Sequence, residues 1–594
     1  MDKMSLNGSE RQRWAVDQGN NRGEQLNREE GNAASGVMIV GTSSNSGKST
    51  ITTALCRILS DAGIKVAPFK AQNMSLESYV TDNGEEIARA QAVQALAARC
   101  RPTVQMNPIL LKPMGDELCQ VLLYGKPLGI MHYREYQARH KEMLDHVVKA
   151  FNELHEDYDF IICEGAGSPA EINLLEHDIV NLPLAATLGI PAILVADIER
   201  GGAFASIYGT LAILPDALSG LIRSVIINKM RGSTDILEPA ISWITHSTGI
   251  PCIGIIPYVD SIDMDGEDSL NRSPFSIDAR SMGRISIHSS TVSRGADREI
   301  DIDQEAINIE HTPTHSDLLD VAVIGLPHLA NATDIDPLRL EPDVSVRYVF
   351  DRSMLGDPDI VILPGSRNTV EDLMWIRSNG LADALVESRN YSHSFSILGI
   401  CAGYQILGKS IEDNIETNYG LVDGLDLLPV RTVMAETKVL RRCHNGKWIA
   451  SNNNQIGNNQ PLKSNQPIGN NQPVISGYEI HHGRLYYDDN TMQSTPWFLI
   501  DTSYSNENEG YVDPVNGVYG TSVHGFLEDT YTRSLFLYTC AARRNKHWLA
   551  SMLSVESYRQ YRIDKLASSV RKSIDMNALI NILQVDLTGH ISNE

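Results

Sequence analysis

The feature that most constrains this chain is a glycine loop held between an apolar strand and an amphipathic helix. After the run VMIV come Gly41-Thr-Ser-Ser-Asn-Ser-Gly47-Lys48-Ser49-Thr50, leading directly into ITTALCRILSDAG. Ile51, Ala54, Leu55, Ile58 and Leu59 fall on one helical face, and Gly63 is placed to end the helix. Strand, loop and helix in that order make a phosphate cradle. Backbone N–H groups at the helix N-terminus point at the anion, Lys48 neutralises the terminal phosphates, and the Ser49 hydroxyl suits Mg²⁺. Gly47, Lys48, Ser49 and Thr50 are therefore the nucleotide-binding candidates, with ATP and Mg²⁺ as the expected cofactors. Five residues separate Gly41 from Gly47, one more than the strict P-loop spacing.

A loop of this kind sits at the end of a parallel strand, and the flanking sequence supplies the rest of such a sheet. IKVAPF, DFIIC, PAILVAD, SVIIN and CIGII are short β-rich runs separated by helical stretches, the alternation of a parallel sheet with helices on both faces. Glu164 follows DFIIC at a strand end, where metal and ligand groups collect, and its carboxylate suits a hard cation. Asp197, after PAILVA, holds a similar place, with helix or turn capping as the equal alternative. Asn228 ends SVIIN, either as a strand-terminating residue or as a nucleotide contact.

A second series of strands, LDVAVIG, VRYVF, DIVILPG, SILGI and GVYGTSV, predicts a second α/β unit. Within it SILGI meets Gly399-Ile-Cys401-Ala-Gly403 and runs on into a helix-compatible stretch. That is a nucleophile elbow with Cys in place of Ser: small residues permit the sharp turn, and the helix N-terminus favours a thiolate. His524, after GVYGTSV, is placed to be the base that activates Cys401 and the acid that protonates a leaving amine. Gly365, after DIVILP, is placed to offer a backbone N–H to an oxyanion.

The expected architecture is α/β with two domains, a P-loop parallel-sheet unit over 36–259 and a second unit over 317–545. Residues 1–35 are too poor in apolar side chains to offset ordering entropy and read as a disordered tail. Residues 260–316 read as a linker, 546–594 as a C-terminal extension, and 452–473, which repeats IGNNQP, as a low-complexity insertion. Lys and Arg number 50 against 74 Asp and Glu, and a net charge of −24 argues against a phosphate-backbone partner such as nucleic acid. Eight scattered cysteines without a CxxC pair fit a reducing cytoplasm. No stretch approaches the roughly 18 apolar residues of a membrane span.

Three resemblances sharpen the reading. The five-residue spacing and the EGAG segment at Glu164 resemble dethiobiotin synthetase and its relatives, which activate a carboxylate with ATP, and related folds use an Asn at the place of Asn228 to read the adenine edge. LPGSRNT, the Cys401 elbow and VHGF, in that order, resemble class I glutamine amidotransferase domains of flavodoxin-like fold, whose Cys attacks the glutamine amide and releases ammonia. Those domains usually carry Glu two residues after the His; here Phe526 stands there, which leaves Glu528 as a candidate third member, and this departure is shared by the cobyrinate-type subgroup.

Over 36–545 the whole resembles the cobyric acid synthase family, on PFKAQNMSLESYVTDNGEEIARAQAVQALAA, MNPILLKP, PHLANATDIDPL, GYEIHHGR and VHGF. The resemblance implies a corrinoid, glutamine and ATP as substrates. It also implies amidation of the b, d, e and g carboxylates of adenosylcobyrinic acid a,c-diamide. The related a,c-diamide synthase shares the two-domain plan but lacks the PFKAQNM and ARAQAVQA segments. From the residues alone, a P-loop ATPase switch with an inert second domain, or a thiol hydrolase fused to a nucleotide-binding regulator, also remain open.

Overall fold

The computed structural model describes residues 36–114, 117–259, 318–388, 395–449, 474–487, 495–501, 506–548, 550–551 and 553–585. The expected tail, linker and IGNNQP insertion lie outside these residues.

The first unit is built on a six-stranded sheet of order β12-β11-β10-β1-β9-β2, all of it parallel. Its strands are β1 (Gly36–Gly41), β2 (Val66–Phe69), β9 (Phe160–Glu164), β10 (Ala192–Asp197), β11 (Ile222–Met230) and β12 (Cys252–Pro257). They coincide with the six apolar runs of the sequence. Residues 37–40 are fully buried, as a central strand covered on both faces must be. The register pairs Ile39 with Glu164 and Gly41 with Val195, so the carboxyl ends of β1, β9 and β10 open on one edge. Helix α1 (Lys48–Asp61) leaves the glycine loop there and ends as expected, with Gly63 at φ 80°.

Between β2 and β9 the chain makes an excursion that the sequence reading did not resolve. β3 (Gln72–Met74), β6 (Ile109–Pro113), β7 (Leu118–Leu123) and β8 (Lys126–His132) form a small sheet, while β4 (Ser78–Val80) and β5 (Glu86–Ala88) form a hairpin. The hairpin leads into α2 (Arg89–Ala97), and α3 (His140–Asp157) returns to β9.

The second unit has a parallel core of order β14-β13-β15-β16-β23, from β13 (Leu319–Ile324), β14 (Val344–Val349), β15 (Ile360–Leu363), β16 (Ser396–Ile400) and β23 (Val518–Thr521). Numbered along the chain this is 2-1-3-4-5, the doubly wound order of flavodoxin-type sheets. The sheet continues past β23 through β22 (Asn506–Asp513), β21 (Thr495–Asp501), β19 (Val430–Trp448), β17 (Ser410–Asp413) and β18 (Gly420–Asp423). β20 (Val474–Tyr487) pairs antiparallel with β19.

The C-terminal extension is part of the first unit's core. Helices α4 (Val555–Ser573) and α5 (Met576–Leu583) place Ile563, Leu566, Val570, Leu579 and Leu583 in one apolar cluster with Val37, Ile51, Leu55 and Ile58. Ile574 bridges antiparallel to Gly254, and Asp575 N–H donates to the Ile253 carbonyl at 2.7 Å, covering the exposed edge of β12. Arg57 of α1 pairs with Asp564 at 3.3 Å. Among the described residues no helix is long and apolar enough to cross a membrane. Because Leu566 is fully buried, Leu566→Ala should cost about 2–5 kcal/mol and lower the urea midpoint of the nucleotide-binding unit. An unchanged midpoint would show that the last helices are not part of that core.

Candidate functional site

The glycine loop is held by its own geometry and by a neighbouring strand. Gly47 sits at φ 98°, in the left-handed region, and a Cβ there would collide with the Asn228 amide. Lys48 is 5% exposed and folds back over the loop, its Nζ donating to the carbonyls of Ser43 at 3.1 Å and Gly167 at 3.0 Å. Thr50 follows on the first helical turn, half-buried.

The two expected metal ligands meet. Ser49 Oγ donates to Glu164 Oε1 at 2.8 Å, and Glu164 is 1% exposed. A hydroxyl and a carboxylate side by side at a helix N-terminus are hard oxygen donors. They fit Mg²⁺, which takes one or two protein oxygens and completes its shell with phosphate and water. Two residues absent from the expected set complete this centre. Lys70 Nζ lies 2.8 Å from the same Glu164 oxygen, and Gln94 Nε2 donates to the other. Both belong to segments already quoted for the family resemblance, PFKAQNM and ARAQAVQA. What hid them was distance along the chain, 94 residues from Lys70 to Glu164.

Asn228, read as a strand-terminating residue or a nucleotide contact, is buried and donates its amide to the Ser46 carbonyl at 3.0 Å, which braces the loop. Asp197 accepts from Glu199 N–H at 2.8 Å and pairs with Lys229 at 2.8 Å, the capping alternative. Lys229 in turn donates to the Asn45 carbonyl at 2.7 Å.

In the second unit Cys401 occupies a strained corner, φ 53° and ψ −107°, between β16 and the short helix Ala402–Leu407. Gly403 packs so tightly on Leu363 that any Cβ would strike the Leu363 carbonyl. The elbow therefore requires the glycine that the sequence supplies. The Cys401 thiol donates to the Ile480 carbonyl at 3.8 Å, and His524, whose charged form the nearby sulfur favours, is 1% exposed. Tyr478 stacks on the imidazole with ring centroids 5.3 Å apart. Gly365 lies beside the pair, a Cβ on it falling 3.1 Å from His524 Cε1.

The carboxylate that meets His524 is Asp334, not Glu528. Asp334 Oδ2 lies 2.7 Å from His524 Nδ1, and Oδ1 accepts from Gly525 N–H at 2.8 Å. This orients the ring with Nδ1–H toward Asp334 and turns Nε2 away from it, the Asn331 amide lying 3.2 Å from Nε2. Burial disfavours the imidazolium, but the Asp334 carboxylate and the Cys401 sulfur outweigh it and push the His524 pKa up to about 10. Glu528 instead faces two guanidiniums. Burial opposes its ionisation, yet Arg559 and then Arg89 hold its carboxyl down at about 2. A local pattern could not reveal Asp334, which lies 190 residues before the histidine, although it sits inside PHLANATDIDPL.

Comparison with known proteins agrees with this geometry. Residues 37–270 match the CobQ/CobB/MinD/ParA nucleotide binding domain, and residues 320–531 the CobB/CobQ-like glutamine amidotransferase domain. Fold and site thus define a glutamine-dependent ligase with a nucleotide-binding unit and an amidotransferase unit on one chain. Proteins named cobyric acid synthase from Clostridium kluyveri and Trichormus variabilis are 38% and 39% identical over 92% of this chain, covering 98% and 99% of their own lengths. One from Streptomyces coelicolor is 39% identical over 92% of this chain and 96% of its own. The chain belongs to the cobyric acid synthase family.

The raised His524 pKa sets a sign for pH. The charged imidazolium beside Asp334 adds its full stabilisation below the unfolded value of about 6.5, and that contribution is lost as pH rises toward about 10. Asp334→Asn should therefore abolish most of this pH dependence of the melting temperature above neutrality. It should also cut glutamine hydrolysis by on the order of 10²-fold. A variant that hydrolyses glutamine at the original rate would remove Asp334 from the catalytic set.

Proposed function

We propose that this chain amidates peripheral carboxylates of a corrinoid, using ATP to activate each carboxylate and glutamine as the nitrogen source. The substrate best supported is adenosylcobyrinic acid a,c-diamide, amidated at its b, d, e and g positions to adenosylcobyric acid. The observation that carries this reading is the coexistence of a Cys401–His524–Asp334 trio and a Lys48–Ser49–Glu164 cradle in a member of this family.

In the amidotransferase unit the Cys401 sulfur attacks the side-chain carbonyl of glutamine. His524, holding the Cys401 thiol proton as an imidazolium, delivers it from Nε2 to the departing nitrogen, so that ammonia leaves and a thioester remains. Water then cleaves the thioester and releases glutamate. A backbone N–H near Gly365 is the candidate oxyanion donor during both additions. In the nucleotide unit Lys48 and the loop N–H groups hold the triphosphate while a substrate carboxylate oxygen displaces ADP from the γ-phosphorus. Ammonia attacks the resulting acyl phosphate, the C–N bond forms and inorganic phosphate departs. Mg²⁺, held by Ser49 and Glu164, would supply charge neutralisation on the phosphates.

Two variants test the division of labour. Cys401→Ala should lose glutamine-driven amidation and keep ammonium-driven amidation, followed by the mass change of the corrinoid. Lys48→Ala should lose both, by on the order of 10²-fold or more. A folded Cys401→Ala protein that fails equally with both nitrogen sources would sink the proposal. ATP consumption that never responds to the corrinoid would leave the fused thiol hydrolase standing.

A further inference from the structure

A single nine-residue helix joins the two centres, and its outer anchor is the carboxylate that the trio does not use. α2 runs from Arg89 to Ala97. Gln94, five residues in and about 7.5 Å along the axis, holds Glu164 of the nucleotide site. At the helix start Arg89 Nη2 lies 3.1 Å from Glu528 Oε1, and Glu528 follows His524 by four residues. The Arg89 N–H also donates to the Glu77 carbonyl at 3.1 Å, and the Glu77 carboxylate accepts from Ala332 N–H at 3.3 Å, two residues before Asp334. The start of α2 therefore touches the chain after His524 directly, and the chain before Asp334 through Glu77.

Glu528 has a second cation. Arg559 of α4 approaches it through both terminal nitrogens, at 2.8 and 2.7 Å, and α4 packs its apolar face on α1, the helix that begins at Lys48. One carboxylate thus reaches the nucleotide unit by two routes, through α2 to Glu164 and through α4 to α1. A lone surface ion pair holds little in place. A fork-on-fork Arg–carboxylate pair joined by a second, buried guanidinium fixes orientation as well as distance.

We propose that Glu528 is a positioning residue that keeps the glutaminase centre seated against the nucleotide site, so that glutamine cleavage is tied to carboxylate activation. Resting on the amidotransferase reading above, it places Glu528 outside the reacting atoms and assigns it the coupling between them.

The test uses the full-length enzyme with Glu528→Gln, which keeps shape and removes charge, and with Arg559→Gln and Arg559→Lys. Glutamate released per amide formed is measured with the diamide corrinoid and ATP, beside ammonium-driven synthesis and thermal unfolding. Glutamine wasted per amide should rise by about 5-fold or more in Glu528→Gln, and in the same direction in Arg559→Gln. Ammonium-driven synthesis should stay near the original rate, and Arg559→Lys should recover part of the coupling. Equal loss of both synthetic rates at an unchanged glutamine-to-amide ratio would make the cluster a structural seam and overturn the proposal, as would variants indistinguishable from the original. Should the unaltered enzyme amidate the corrinoid from neither nitrogen source, the functional reading is at fault. The clamp is then read from the effect of ATP on glutamine hydrolysis alone, and an ATP response unchanged by Glu528→Gln overturns it.

Discussion

A buried carboxylate organises the first unit. Glu164 is 1% exposed, and an ion taken that far from water is tolerated only when charge and hydrogen bonds surround it. Its partners come from three separate places: Ser49 at the start of α1, Lys70 after β2, and Gln94 on α2. Each partner is drawn in by the same requirement, so the glycine loop, the strand end and the excursion between β2 and β9 are fixed relative to one another before any ligand arrives. The group best placed to meet Mg²⁺ is thus also the group that assembles the walls of the site.

The second unit solves a different problem. Cys401 must stand at a backbone angle costing about 1–3 kcal/mol, and the surrounding chain holds it there. Its N–H donates to the Thr521 carbonyl at 2.7 Å, and its own carbonyl accepts from Gln405 at 3.1 Å. Gly399 lets the strand approach Gly403 of the elbow helix, and Gly403 lets the turn close against Leu363 of β15. The parallel pairing of β16 with β23 then sets the distance between elbow and base, because His524 follows β23 by three residues. Asp334 arrives from the other edge of the core, after β13, and accepts from both His524 and Gly525. Strain at the nucleophile is therefore matched by over-determination of everything around it.

What the sequence made legible follows the range of the forces involved. Gly47, Lys48, Ser49, Cys401 and their flanking strands are specified by neighbours a few residues away, and all stand where periodicity and loop chemistry place them. Glu164 was readable as a strand-end carboxylate but not as a hub, since Lys70 and Gln94 reach it only through tertiary packing. Asp334, rather than Glu528, meets His524 for the same reason. A motif two to four residues from His524 suggested Glu528, whereas the Nδ1 partner comes from a turn beside another strand of the sheet. The antiparallel strands beyond β23 escaped notice because their half-exposed alternation is interrupted by long polar stretches, and the C-terminal helices because their apolar partners lie some 500 residues earlier, as the Arg57 to Gln560 contact shows.

Directional polar bonds cross the seam between the units, and they have a consequence. Arg367 donates to the Pro113 carbonyl at 2.8 Å, Tyr478 to the Ser78 carbonyl at 3.3 Å, and Arg442 to the Val80 carbonyl at 3.4 Å, beside the Glu77 and Arg89 contacts. Apolar burial would have held the units together more indifferently, since it is non-directional and scales with area. Directional bonds to backbone carbonyls instead favour one seating, and buried polar groups lose heavily when that seating is missed. Tyr478 carries the point furthest: the same ring that reaches across to Ser78 stacks on His524. His524 is thereby packed, through one ring, against a residue of the nucleotide-binding unit.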